Sequence, residues 1–240
     1  MENDTQQQDN YILDGLKAAW PIMAGYVVLG LPCGLLCQQA GMNWAMCLIM
    51  STLFYSGAGQ YMIPNMWLAG NPLLSIILSV TLVNTRQMLY GASLSRFCEN
   101  VSRPLTFLFG ATVTDESFGV NLAQFENKNW DVKRATVVNL CSQASWTAST
   151  VAGALIGMLV SFPTAIASFA MTSIFICLLC MQKVNATNLI TIFTAAAGVF
   201  LCKCIGLSGP AILIGALLGV ACGYAYGRRH PKVAGGKGGN

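Results

Sequence analysis

Charge is missing from four long stretches of this chain: residues 18 to 85, 135 to 182, 184 to 202 and 204 to 227 contain no Asp, Glu, Lys or Arg. A soluble domain needs ionisable side chains at about a quarter of its positions to cover its surface. Here 9% of the 240 residues are charged and 55% are apolar. The 13 basic and 9 acidic side chains fall almost entirely between the apolar stretches. That distribution excludes a soluble enzyme and a nucleic-acid binder, and the net charge of +4 reports orientation in a bilayer rather than an acidic partner.

Much chemistry is excluded by residue type. The ten cysteines lie almost all inside the apolar stretches, where Cys packs as a small hydrophobe. Cys177 and Cys180 form C-x-x-C and Cys202 and Cys204 form C-x-C, but neither pair has further ligands nearby. The single histidine, His230, is in the C-terminal tail, so zinc catalysis, haem ligation and a Ser-His-Asp triad are not expected, and no cofactor is implied. Residues 1–14 are polar and acidic, unlike the basic start of a signal peptide, so the first span is expected to remain as an anchor. The expected organisation is a polar tail over 1–16, a transmembrane transporter domain over 17–227 and a basic, Gly-rich cytoplasmic tail over 228–240.

A hydrocarbon core of about 30 Å takes roughly 20 apolar residues as helix. Residues 21–40, 72–95, 135–162, 163–181, 189–204 and 207–226 meet or approach that length. Two regions do not fit as single spans: 44–70 is cut by Ser56-Gly57-Ala58-Gly59, and 104–125 by Thr114-Asp115-Glu116-Ser117. The fold class expected is therefore all-α, a polytopic integral membrane protein with about six full spans plus two broken or re-entrant helical segments. If both broken segments return to their own side, Lys17, Arg96, Arg103, Lys128, Lys133, Arg134, Lys183, Arg228, Arg229, Lys232 and Lys237 share the cytoplasmic face, as the positive-inside rule prefers. Full crossings would split them. A cysteine placed at position 70 is then expected to react with impermeant reagent from outside; reaction only from the cytoplasm would exclude the hairpins.

Helix breaks at membrane depth are tolerated only where the freed backbone is buried in protein or lines a wet cavity, and one in each half of a chain points to a transporter site. At the first break Gly57 and Gly59 let the backbone turn, and Gln60 opens the next half-helix, whose free N–H groups suit a carboxylate; a plain kink is the other reading. Arg86 follows the apolar run 73–83, and burying it costs at least about 2.5 kcal/mol. It either holds a substrate carboxylate or makes a structural ion pair, with Asp115 and Glu116 the nearest unassigned acids. Asn84 lies about 200° from Arg86 on an unbroken helix, so either the helix unwinds there or one of the two packs.

Thr114-Asp115-Glu116 also reads as a helix start, a Thr cap with acids in the first turn. Beyond it Thr114, Ser117, Asn121 and Gln124 form one polar stripe, suited to a cavity wall or a polar helix interface. One of the two acids is a candidate to receive a substrate ammonium or a coupling proton. An intramembrane enzyme is not expected, because the two acids are adjacent, about 100° apart, and no histidine accompanies them. Gly215, Gly219, Gly223 and Gly227, like Gly153 and Gly157, form ridges for close helix approach, within the chain or to a second subunit.

Three blocks, Ser56-Gly57-Ala58-Gly59-Gln60-Tyr61, Val83-Asn84-Thr85-Arg86-Gln87 with Leu89-Tyr90-Gly91-Ala92-Ser93-Leu94, and Thr114-Asp115-Glu116-Ser117-Phe118, resemble the AzlC family of branched-chain amino-acid permeases. Its members usually carry a small-residue stretch ending in Gln-Phe, an Asn-x-Arg-His before a Leu-Tyr-Gly-Ala-Ser-Leu-like run, and a Thr-Asp-Glu block. The resemblance spans roughly residues 12 to 226. Tyr61 replaces the commoner Phe, and Gln87, which cannot titrate, stands where His is usual.

The resemblance implies export of valine, leucine, isoleucine and analogues such as azaleucine across the bacterial cytoplasmic membrane, with a small AzlD-type membrane subunit as partner. A transporter of the same fold for another amino acid or a small organic anion is the alternative. Joined to the polar residues, it suggests a midplane pocket. N–H groups near Gln60, together with Arg86, would meet the substrate carboxylate there, and Asp115 or Glu116 the ammonium.

Overall fold

The computed structural model describes residues 2–126, 130–159, 185–205 and 211–229, with isolated positions at 169, 172, 173 and 176. The expected span over 163–181 falls almost wholly outside the described residues, as does His230. Among the described residues the regular structure is helical throughout: α1 Glu2–Gln39, α2 Trp44–Leu53, α3 Gly57–Leu68, α4 Leu73–Leu94, a 3-10 turn Ser95–Phe97, α5 Arg103–Ala111, α6 Asp115–Glu126, α7 Val132–Leu159, α8 Ala186–Cys204 and α9 Ala211–Arg229. The N-terminal stretch expected as a tail continues the helix of the first span. The chain divides into two compact units, Met1–Leu68 with Val83–Met171, and Ala69–Leu82 with Thr172–Asn240.

Three described helices are long and apolar enough to cross a bilayer, Tyr11–Gln39, Leu73–Phe97 and Ala186–Cys204. They correspond to the expected spans over 21–40, 72–95 and 189–204. At 28 residues α7 has the length, but it carries a buried polar row, Thr136, Asn139, Ser142, Ser149 and Thr150, that dilutes its hydropathy.

In the first unit α7 runs parallel to α1. Gly15 lies at Val137, the Ser145 hydroxyl donates to the Met23 carbonyl at 2.9 Å, Ser149 donates to the Tyr26 carbonyl, and Gly157 lies at Gln38. Small residues make this approach possible. A Cβ on Gly34 would overlap the Thr150 carbonyl oxygen, and one on Gly153 the Leu31 carbonyl oxygen, so the two backbones touch.

Besides the second half of α4, the unit holds two hairpins of half-helices, entering from opposite ends. Helix α1 stops in a left-handed glycine cap: Gly41 has φ +89°, Met42 N–H donates to the Cys37 carbonyl and Gly41 N–H to that of Gln38. Asn43 then caps α2 by accepting from Met46 N–H at 2.8 Å. Helix α2 descends from beside Cys37, the break brings Gly57 beside Trp146, and α3 climbs back, its Tyr61 hydroxyl donating to the Leu29 carbonyl at 2.6 Å.

The second hairpin starts and finishes at the other end of α1. Leu94, Phe97, Leu105, Phe125, Trp130, Val132 and Ala135 pack in one cluster, with Phe97 and Phe125 stacked 4.2 Å apart. Arg134 at its edge pairs with Asp14 at 3.1 Å. A single full crossing by 104–125 would have put Phe97 and Phe125 at opposite ends.

The second unit is simpler. Its glycine ridge is spent inside the chain: Gly215 and Gly219 of α9 lie against Ala195, Val199 and the Thr191 carbonyl of α8, and Gly223 against Thr191.

Candidate functional site

The two breaks meet beside the middle of α1. Tyr26 sits about 20 Å, at 1.5 Å per residue, from either end of the span Tyr11–Gln39. Its hydroxyl donates to Glu116 Oε2 at 2.7 Å and lies 2.9 Å from Thr114 Oγ1, both at the second break. Its ring packs edge-on to Trp146, 5.3 Å between centroids, and Trp146 in turn covers Gly57 at the first break.

Between the two tips passes α4, and it is unbroken. Asn84 and Arg86 therefore do point apart, and each faces a different break. Ser56 donates to Asn84 Oδ1 at 2.6 Å, and Gln87, three residues on and on the same face, donates to the Tyr55 carbonyl at 3.2 Å. Arg86 Nη2 pairs with Asp115 Oδ2 at 2.8 Å, and Tyr90, one turn later, donates to Asp115 Oδ1. Neither alternative expected from the spacing holds: the helix is not unwound, and both side chains are engaged. In this protein Gln87 is a hydrogen-bond donor to unwound backbone, a task that needs no titration.

The second tip is built by a reciprocal cap. Ser117 N–H donates to Thr114 Oγ1 and Thr114 N–H to Ser117 Oγ, at 3.5 and 2.9 Å, a capping box with Ser in the third helical position. The cap leaves Asp115 and Glu116 in the first turn of α6, where the helix dipole favours their charge, and aims them different ways. Asp115 goes to Arg86 and Tyr90, Glu116 to Tyr26.

The other expected site residues take structural roles. Gln60 is fully buried; its Oε1 accepts from Ser51 at 3.0 Å and from Trp146 Nε1 at 2.9 Å, and its Nε2 donates to the Phe54 carbonyl at 2.6 Å. With these bonds it clamps α2, α3 and α7 together. Gly57 and Gly59 have no left-handed backbone; the positive-φ glycines among the described residues are Gly41 and Gly70. The turn falls instead at Phe54-Tyr55-Ser56, and Gly59 supplies room, since a Cβ there would come within 2.9 Å of the Phe54 ring. The polar stripe is a helix interface: Asn121 donates to Asn139 at 2.9 Å and accepts from Trp130 Nε1, and Asn139 donates to the Phe109 carbonyl exposed by the break.

Of the expected residues, the tips thus bring together Asn84, Arg86, Asp115 and Glu116. Tyr26, Tyr55 and Tyr90 join them and escaped the sequence reading, because a tyrosine in an apolar run is as suited to packing as to binding. Two polar atoms in this cluster are buried with no hydrogen-bond partner, Arg86 Nε and the Tyr55 hydroxyl. Each is a polar group at a depth where an unpaired donor is costly.

A family model described as AzlC protein matches residues 21–160, which include both breaks and the central part of the cluster. A membrane protein of Helicobacter pylori is 31% identical over 182 residues, covering 73% of this chain and 79% of the relative. Escherichia coli inner membrane protein YgaZ is 28% identical over 88% of this chain and 87% of its own. The Bacillus subtilis branched-chain amino acid transport protein AzlC is 28% identical over 83% of this chain and 78% of its own. No solved structure matches.

Proposed function

Because the chain belongs to the AzlC family of membrane proteins, we propose that it is a secondary transporter that exports branched-chain amino acids across the cytoplasmic membrane, driven by the proton gradient. The observation that carries this reading is the meeting of two half-helix hairpins, from opposite ends, at the middle of a spanning helix. Such a junction is reached from either side by moving one hairpin tip, which is what alternating access requires. A zwitterion suits its charges, with the unpartnered Nε–H of Arg86 directed to the carboxylate. Apolar side chains around the tips accept the branched chain, and a small AzlD-type membrane subunit completes the exporter.

Cells loaded with labelled valine and expressing the chain with its small subunit are expected to release label faster than empty-vector cells, and to stop when the proton gradient is collapsed. Equal release in the two strains would overturn the reading. Release that survives collapse of the gradient would overturn the coupling alone.

A further inference from the structure

The two carboxylates at the second tip are not equivalent. Asp115 is neutralised by Arg86 at 2.8 Å and accepts from Tyr90. Glu116 has no ion-pair partner among the described residues, and the one hydrogen bond it accepts comes from Tyr26. Glu116 lies on the exposed side of the tip, where a carboxylate at the middle of a span and without a cation suits a proton or a positive ligand.

The Tyr55 hydroxyl lies close to it. Tyr55 is 7% exposed, its hydroxyl is buried without a hydrogen bond of normal geometry, and it lies close to Tyr26, Thr114 and Glu116. The Tyr26 proton is committed to Glu116. The second Glu116 oxygen and the Tyr55 hydroxyl oxygen are acceptors that together suit a donor of several protons bearing positive charge. Arg86, the cation at this tip, is held by Asp115.

We propose that Glu116, with the Tyr55 hydroxyl oxygen, holds the ammonium group of the transported amino acid, and that Asp115 does not. This rests on the amino-acid transport reading and divides its site in two. An ammonium offers three N–H donors, one for the second Glu116 oxygen and one for Tyr55, while Arg86 Nε stays available to the carboxylate at the other side of Asp115.

The test is thermal stabilisation of the full-length chain in lipid nanodiscs by valine, by isobutylamine, which lacks the carboxylate, and by isovalerate, which lacks the ammonium. Glu116→Gln is expected to weaken valine and isobutylamine by about tenfold or more while leaving isovalerate unchanged, since a hydrogen bond to a charged group is lost. Tyr55→Phe, which keeps the ring that fills the tip, is expected to weaken the same two ligands severalfold. Wild-type valine affinity in both variants, or equal weakening of isovalerate, would overturn the assignment. So would stabilisation of the wild type by sodium ion and not by isobutylamine. A wild type stabilised by isobutylamine but by no branched-chain amino acid would leave the ammonium site standing and overturn the transport reading instead.

Discussion

Valine export is expected to fall by about thirtyfold or more when Arg86 is replaced by Gln, because truncating one partner of a hydrogen-bonded charge pair costs about 2 kcal/mol or more. The guanidinium does two things at once. Nη2 neutralises Asp115, and Nε is buried without a hydrogen-bond partner. Lys retains the charge but has no planar fork to serve both, so Arg86→Lys is expected to keep the pair and lose most of the export. The double variant Arg86→Gln, Asp115→Asn separates the two roles. It removes both charges and leaves no uncompensated carboxylate, so the protein level in the membrane should recover to that of the wild type while export should not. Recovery of export in the double variant would show that the pair is structural only.

Replacing Gly34 by Leu is expected to remove the folded protein altogether. The atoms a Cβ would meet there are the Thr150 carbonyl oxygen and Ala154 nitrogen, both backbone. Neither can swing aside, so α1 must leave α7, and the cost lies at or above the upper end of the usual overpacking range, about 3 kcal/mol. Separation of these helices would also lose Ser145 and Ser149 as donors to α1 carbonyls and the Tyr26 contact with Trp146. Gly25 provides the control on the same helix, since a Cβ there meets nothing within 4 Å. Gly25→Leu should give wild-type amounts of monodisperse protein on size-exclusion chromatography and Gly34→Leu almost none. Equal recovery of the two would mean that α1 and α7 do not pack as described.

These two residues also mark how far the sequence was legible. Arg86 stood out because a charge in an apolar run is costly wherever it lies, and the requirement for a partner already named Asp115 and Glu116 as candidates. Gly34 did not stand out, although Gly30 and Gly34 repeat the four-residue spacing of Gly153 and Gly157 on the facing helix, where they lie against Ser149, Thr150 and Ala154. A ridge of small residues shows that something comes close without showing what. The side chain of Gln60 was hidden for a related reason. At a helix start it is placed to bind an anion, and only the arrival of Trp146 from a helix 86 residues away, with Ser51 across the break, uses up its side chain.

What the sequence by itself determined is what local physics controls. The charge-free stretches required a bilayer, the polar interruptions at 56–59 and 114–117 required breaks, and the Thr114 cap placed Asp115 and Glu116 in a first turn. Which acid keeps Arg86, which faces Tyr26, and why Asn84 and Arg86 serve different tips were decided only by tertiary structure. Those answers depend on the direction in which α4 passes between two hairpins. That direction is set by contacts such as Phe97 on Phe125 and Tyr26 on Glu116, between residues 28 and 90 positions apart, and no local preference of the chain encodes it.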